Sequence, residues 1–106
     1  MSEPEIKPLT QAEKDKWLRV LRSGEIKKGR GFFRGGVNKY CALGALHYAL
    51  GIALEQEKYV PYFHADAKLG RAVADKIWSL NDIAFRDDED FSRLADWIEA
   101  NVPATA

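Results

Sequence analysis

Cys41 is the residue whose chemistry the sequence singles out, because it is the only cysteine of the 106-residue chain and begins a helical pattern. The amides and dipole at a helix start lower a thiol pKa and favour the thiolate. A cysteine hydrolase or transferase would add a histidine and an acid, and His64 and Asp82 are of the right type. We favour the alternative, in which Cys41 is buried and packs as a small apolar side chain.

The histidines, His47 and His64, do not extend this position into a metal site. Their spacings to Cys41 and to Asp66 match no recognised pair of ligands. On one helix, the step from Cys41 to His47 would place the two side chains about 120° apart. We therefore expect no metal and no cofactor, and we expect His47 at the rim of the core with its nitrogens hydrogen-bonded.

A basic, glycine-rich segment is the second chemical feature. Residues 14–39 contain nine Lys or Arg against two acids, whereas residues 75–99 contain eight acids against three basic residues. Glycine, arginine and phenylalanine together suit a surface that follows phosphates and stacks bases. The residues that would contact nucleic acid are Lys27, Lys28, Arg30, Arg34 and Lys39. We favour the alternative, in which the two charged halves neutralise each other within the fold or across a dimer.

Asn81 and Asp82 form the last candidate pair. In a catalytic site, Asp82 would orient a histidine. We favour a structural role at the end of a helix, where Asn81 takes a left-handed conformation and Asp82 caps nearby amides.

Helical patterns must position these residues. A capping box at Thr10 and Glu13 predicts a helix over 11–22 that ends at Gly24. A second helical pattern runs from Cys41 to Gly51. A third begins at Asp66 as N-cap and carries an apolar stripe, and a fourth has one apolar face. The stripe consists of Leu69, Val73, Ile77 and Leu80; the face consists of Phe91, Leu94, Ala95 and Ile98. Trp17, Trp78 and Trp97 are expected in the core or at its edge.

The fold class that follows is mainly α (α+β), with about four helices packed against one short β-hairpin. Residues 32–33 and 37–40 flank a glycine turn and would form that hairpin. Residues 10–102 form a single globular domain, preceded by a loose tail over 1–9 and followed by a tail over 103–106. The aromatic segment 59–63 fits either an extended stretch or a loop over the core.

Composition excludes some classes of protein. No apolar run approaches the ~20 residues of a membrane span, and the N-terminus lacks the apolar centre of a signal peptide. We expect a cytoplasmic protein with no membrane partner. The glycines do not form a phosphate-binding loop, because the G-x-x-x-x-G-K-[ST] string is missing.

Four motifs occur in order along most of the chain. They are residues 16–24 (KWLRVLRSG), 40–46 (YCALGAL), 80–82 (LND) and 91–101 (FSRLADWIEAN). In this order they resemble a family of small uncharacterised proteins of phages, prophages and bacteria. The resemblance implies no established activity. Many members carry a second cysteine where this chain has Ala42, which argues against any function that needs a cysteine pair.

The sequence therefore favours a small non-catalytic binding protein of phage or bacterial accessory type that acts through a macromolecular partner, with a protein partner preferred. Nucleic-acid binding through the basic segment is the first alternative. A cysteine-dependent hydrolase or transferase that uses Cys41, His64 and Asp82 is the second.

Overall fold

The structure, a computed structural model, describes residues 8–29, 39–51 and 68–105. In chain order its elements are α1 (Gln11–Ser23), β1 (Lys27–Lys28), β2 (Lys39–Tyr40), α2 (Ala42–Leu50), α3 (Arg71–Ser79), a π-helical turn (Leu80–Ala84) and α4 (Ser92–Asn101). The predicted class, mainly α with a small β element, is confirmed.

Helix α1 begins and ends through the local signals that the sequence carries. The Thr10 hydroxyl accepts from the Glu13 amide at 3.1 Å, and the Glu13 carboxylate accepts from the Thr10 amide at 3.0 Å. Gly24 ends the helix with a φ of 78°. This left-handed conformation is one that glycine adopts without steric cost. The capping box and the C-cap are therefore confirmed.

The core forms where α2 packs against α1 and α3, while α1 also contacts α4. Six consecutive residues of α2, from position 42 to position 47, are buried, which fits its small and apolar composition. The large side chains that fill the core include Trp17, Leu43, Leu46, Ile77, Phe91, Leu94 and Ile98. The apolar face predicted for α4 is thus the face that packs inward.

The β element differs from the expected hairpin. Strand β1 pairs with β2 in parallel, with Lys27 beside Lys39 and Lys28 beside Tyr40. A hairpin joins antiparallel strands, so this pair is not one. The predicted hairpin strand at 32–33 and its glycine turn lie outside the described residues, as does the segment 59–63.

Helix α3 does not end at Asn81 and Asp82, which corrects the sequence-based expectation. The chain continues directly into the π-helical turn, where the Phe85 amide donates to the Leu80 carbonyl at 2.7 Å. At its other end, α3 follows Gly70, which has a φ of 82°. The proposed N-cap, Asp66, lies outside the described residues.

Parts of both predicted tails pack onto the domain. Leu9 is fully buried, and its amide donates to the Lys68 carbonyl at 2.9 Å. Thr10 and Thr105 form a parallel bridge. The domain therefore extends beyond the predicted limits at Leu9 and at Thr105, because the backbone groups of these residues find partners in each other's segments.

The three tryptophans have different environments. Trp17 is fully buried and Trp97 packs partly against the core, as expected. Trp78 is 40% exposed, so the expectation of a core position is wrong for this residue. Within the described ranges, no helix is long and apolar enough to cross a membrane.

Candidate functional site

Cys41 lies at the junction between β2 and α2, as the sequence predicts. It is the N-cap of α2, and its Sγ accepts from the Gly44 amide at 3.4 Å. The residue is only 3% exposed. Burial raises the pKa of the Cys41 thiol to about 12; hydrogen bonds from the Gly44 and Leu43 amides oppose the rise, while the charge of Asp82 adds to it. The thiol is therefore protonated at neutral pH, and the favoured expectation of a buried cysteine is confirmed.

Asn81 connects this junction to two other parts of the chain. Its Oδ1 accepts from the Ala42 amide at 3.2 Å, and its Nδ2 donates to the Gly29 carbonyl at 2.9 Å. Nδ2 also donates to Asp82 Oδ1 at 2.7 Å. Asn81 is almost completely buried, so these bonds form where water does not compete. Its role is to join segments rather than to end a helix.

Trp17 approaches the same junction from α1. Its indole Nε1 donates to the Ala42 carbonyl at 3.0 Å. The backbone of Ala42 thus receives one side-chain hydrogen bond at its amide from Asn81 and another at its carbonyl from Trp17. These contacts fix the start of α2 against α1 and the π-helical turn.

Lys28 secures the π-helical turn from β1. Its Nζ donates to the Asn81 carbonyl at 3.3 Å and to the Phe85 carbonyl at 2.9 Å. Carbonyls at the end of a helical segment lack partners within it, and a cation also interacts favourably with the helix dipole there. This predicted nucleic-acid contact therefore has a structural role.

The structure brings together two of the three candidate catalytic residues. Asp82 lies near enough to Cys41 for its negative charge to raise the thiol pKa, the opposite of activation. The third candidate, His64, lies outside the described residues. His47 is buried in the core rather than at its rim, and its Nδ1 is 2.7 Å from the Leu43 carbonyl. In the part of the chain that is described, no three His, Cys, Asp or Glu side chains are placed to hold a metal ion.

The remaining candidates for nucleic-acid contact are spread unevenly. Lys27 is exposed, and the backbone register places it beside Lys39. Arg30 and Arg34 lie outside the described residues. One exposed lysine and one neighbouring strand position are thus what the described fold contributes to the predicted surface.

Some of the basic and acidic residues meet across the interface between α1 and α4. Arg22 forms ion pairs with Asp96 at 2.9 Å and with Glu99 at 3.3 Å. Lys14 is buried, and its Nζ donates to the carbonyls of Glu99 at 3.0 Å and Val102 at 2.6 Å. These contacts support neutralisation within the fold for this part of the charge pattern.

Sequence analysis missed an exposed apolar pair, which we name the Trp78 surface: the side chains of Trp78 and Ile83, 40% and 61% exposed. Their separation is five residues, the hydrogen-bonding step of a π-helix, so they lie within about one turn of each other. One signal was present in the sequence. Trp78 falls outside the stripe formed by Val73, Ile77 and Leu80, and that stripe is the buried side of α3 and the turn.

Comparisons with protein-family models, with curated proteins and with solved structures each found no match to this chain.

Proposed function

We propose that the chain is a small non-catalytic accessory protein of phage or bacterial type, which works in the cytoplasm by binding another protein through the Trp78 surface. The observation that carries the proposal is the exposure of Trp78 and Ile83 on one short segment. Single exposed apolar residues are common on protein surfaces, but a neighbouring pair that includes tryptophan is typical of contact sites.

The inner side of the same segment supports this function. Asn81 and Lys28 hold the π-helical turn through hydrogen bonds to Ala42, Gly29 and Phe85. A segment fixed in this way loses little conformational freedom when a partner binds, so more of the contact energy appears as affinity. Short π-helical turns are also frequent at functional sites.

The state of Cys41 argues against the enzymatic alternative. A cysteine nucleophile reacts as the thiolate and needs access to its substrate. The Cys41 thiol is buried and its pKa is raised to about 12, so it lacks both properties. A non-catalytic function agrees better with this geometry.

Site-specific photocrosslinking tests the proposal. A photoreactive benzoylphenylalanine is placed at position 83 or, as a matched control, at the exposed position 12 on α1. Each variant is produced in bacterial cells, which are then irradiated. We expect a discrete covalent adduct with another protein from position 83, its loss when Trp78→Ala is added, and no adduct from position 12. Equal labelling from both positions, or none from position 83, would refute the proposal.

Nucleic-acid binding is the second candidate function, favoured by the register that places Lys27 beside Lys39. Like charges on paired strands repel each other, and a phosphate between them would remove that cost. Anisotropy of labelled DNA and RNA at low and near-physiological salt tests this function. It predicts binding that falls steeply with salt and is weakened by Lys27→Glu but not by Lys76→Glu, an exposed lysine on α3. Lack of binding at low salt would exclude it.

A further inference from the structure

We infer that the Trp78 surface recognises a basic amphipathic helix of a partner protein, an inference that rests on the proposed function. Helix spacing gives the first step of the argument. Asp75 precedes Trp78 by three residues and Asp82 follows it by four, so both carboxylates share its side of the helix. The exposed indole is therefore flanked by acidic groups along the helix axis.

The wider surroundings of Trp78 are acidic too. Residues 75–90 contain six acids and two basic residues. Of the acids, Asp87, Glu89 and Asp90 are exposed, whereas Asp88 pairs with Arg93. Asp75 pairs with Arg71 at 3.9 Å, but both side chains are largely exposed and such pairs are weak in water. An apolar centre with a negatively charged surround is thus available to a ligand.

This combination selects one class of partner. Phosphate-rich ligands and anionic lipid surfaces are repelled by the carboxylates, and a purely apolar segment would leave them without compensation. A helix with apolar residues on one face and Lys or Arg along its edges satisfies both parts of the surface: its apolar face covers Trp78 and Ile83, and its cations face the acids. A second copy of this chain is the less favoured occupant, because two acidic surroundings would meet at a symmetric contact.

Two synthetic peptides test the inference on the intact protein. Both are labelled amphipathic helices of about 18 residues with leucine on one face. One has lysine on its polar face and the other has glutamate. We expect the lysine peptide to bind saturably in an anisotropy titration and the glutamate peptide to bind at least about tenfold more weakly.

Four variants assign the binding to this surface. Trp78→Ala should weaken binding of the lysine peptide by about tenfold, whereas Tyr48→Ala, which removes an exposed aromatic of α2, should not. The charge reversal Asp87→Lys should weaken binding more than Asp15→Lys, which changes the net charge equally at an exposed site on α1. Circular dichroism of each variant confirms that it is folded.

The outcomes separate this inference from the proposed function. If the two peptides bind equally, or if Trp78→Ala has no effect, the inference is overturned. If neither peptide binds while position 83 still crosslinks to a protein, the surface binds a partner of another chemistry and only the inference fails. A crosslink between two copies of this chain also overturns it. If both the peptide and the crosslink fail, the proposed function fails as well.

Discussion

At Cys41, two opposing effects act on one thiol. The start of α2 directs the Gly44 and Leu43 amides at Sγ, which favours the thiolate. Burial removes the water that would solvate a negative charge, and Asp82 contributes a repulsive one. Burial dominates, because moving a charge out of water costs more than two weak hydrogen bonds to sulfur return. The cysteine is therefore a cap and a core residue.

The raised pKa predicts the reactivity of Cys41. With a pKa of about 12 rather than 9.0, the thiolate fraction at pH 8 falls about a thousandfold. We expect alkylation by iodoacetamide to be slower in the native protein by at least that factor than in urea, since burial also restricts access. A native rate similar to the rate in urea would show an exposed thiol and revive the enzymatic alternative.

The same shift makes stability depend on pH in a definite direction. The folded protein keeps the thiol proton to about pH 12, whereas the unfolded chain releases it near pH 9. The folded state therefore binds more protons between these values, and the free energy of unfolding falls as pH rises, by about 1.4 kcal/mol per unit. Urea unfolding of the wild type and of Cys41→Ala between pH 8 and pH 10 isolates this contribution, which should be missing in the variant.

Asn81 carries the second prediction at this scale. Asn81→Leu keeps the volume but removes the partners of the Ala42 amide and the Gly29 carbonyl. Two buried backbone groups without partners should lower the free energy of unfolding by about 2–4 kcal/mol. Asn101→Leu is the matched control, because that exposed amide donates only to the Trp97 carbonyl. Urea unfolding compares them, and a similar loss in both variants would contradict the bridging role of Asn81.

At the scale of elements, the π-helical turn depends on a lysine from outside it. Lys28 donates to the Asn81 and Phe85 carbonyls, while its neighbour Lys27 is exposed. We expect Lys28→Met to lower the free energy of unfolding by about 1–3 kcal/mol, and Lys27→Met to change it by less than about 0.5 kcal/mol. Thermal unfolding measures both. Equal effects would mean that Lys28 does not hold the turn.

How far the sequence predicts these elements depends on the range of the interactions that form them. The capping box of α1, its end at Gly24 and the buried face of α4 follow from residues within a few positions of each other, and they were predicted correctly. The continuation past Asn81 was not, because Asn-Asp normally stops a helix. Here the Asn81 side chain instead bonds to Ala42 and Gly29, which are far away in the chain. No local pattern reveals that partner.

The β pair and the candidate site show the same limit. Whether Lys39 and Tyr40 pair in parallel or in a hairpin is decided by where β1 lies after folding. The strand-to-helix position of Cys41 is local and was predicted correctly, as was its burial. The exposure of Trp78 was missed, because an apolar residue beside an apolar stripe gives no local sign of which side it faces.

At the scale of the whole molecule, the neutral net charge conceals two ways of holding a basic half against an acidic one. Arg22 pairs with Asp96 and Glu99 in a partly exposed position at the α1–α4 interface. Lys14 is buried in the same interface and binds the carbonyls of Glu99 and Val102 at the end of α4. The first contact is a pair of opposite charges in water, and the second is a cation that satisfies buried backbone.

Salt distinguishes these two contacts. Arg22→Met should cost less than about 1 kcal/mol at low salt and almost nothing in 1 M NaCl, because exposed ion pairs are screened. Lys14→Met should cost about 1–3 kcal/mol at either salt concentration, because the Glu99 and Val102 carbonyls lose their donor in both. Urea unfolding of both variants and the wild type at the two salt concentrations measures this. If the effect of Lys14→Met also vanished in high salt, its role would be that of a surface charge, and the interface between α1 and α4 would be held by apolar packing alone.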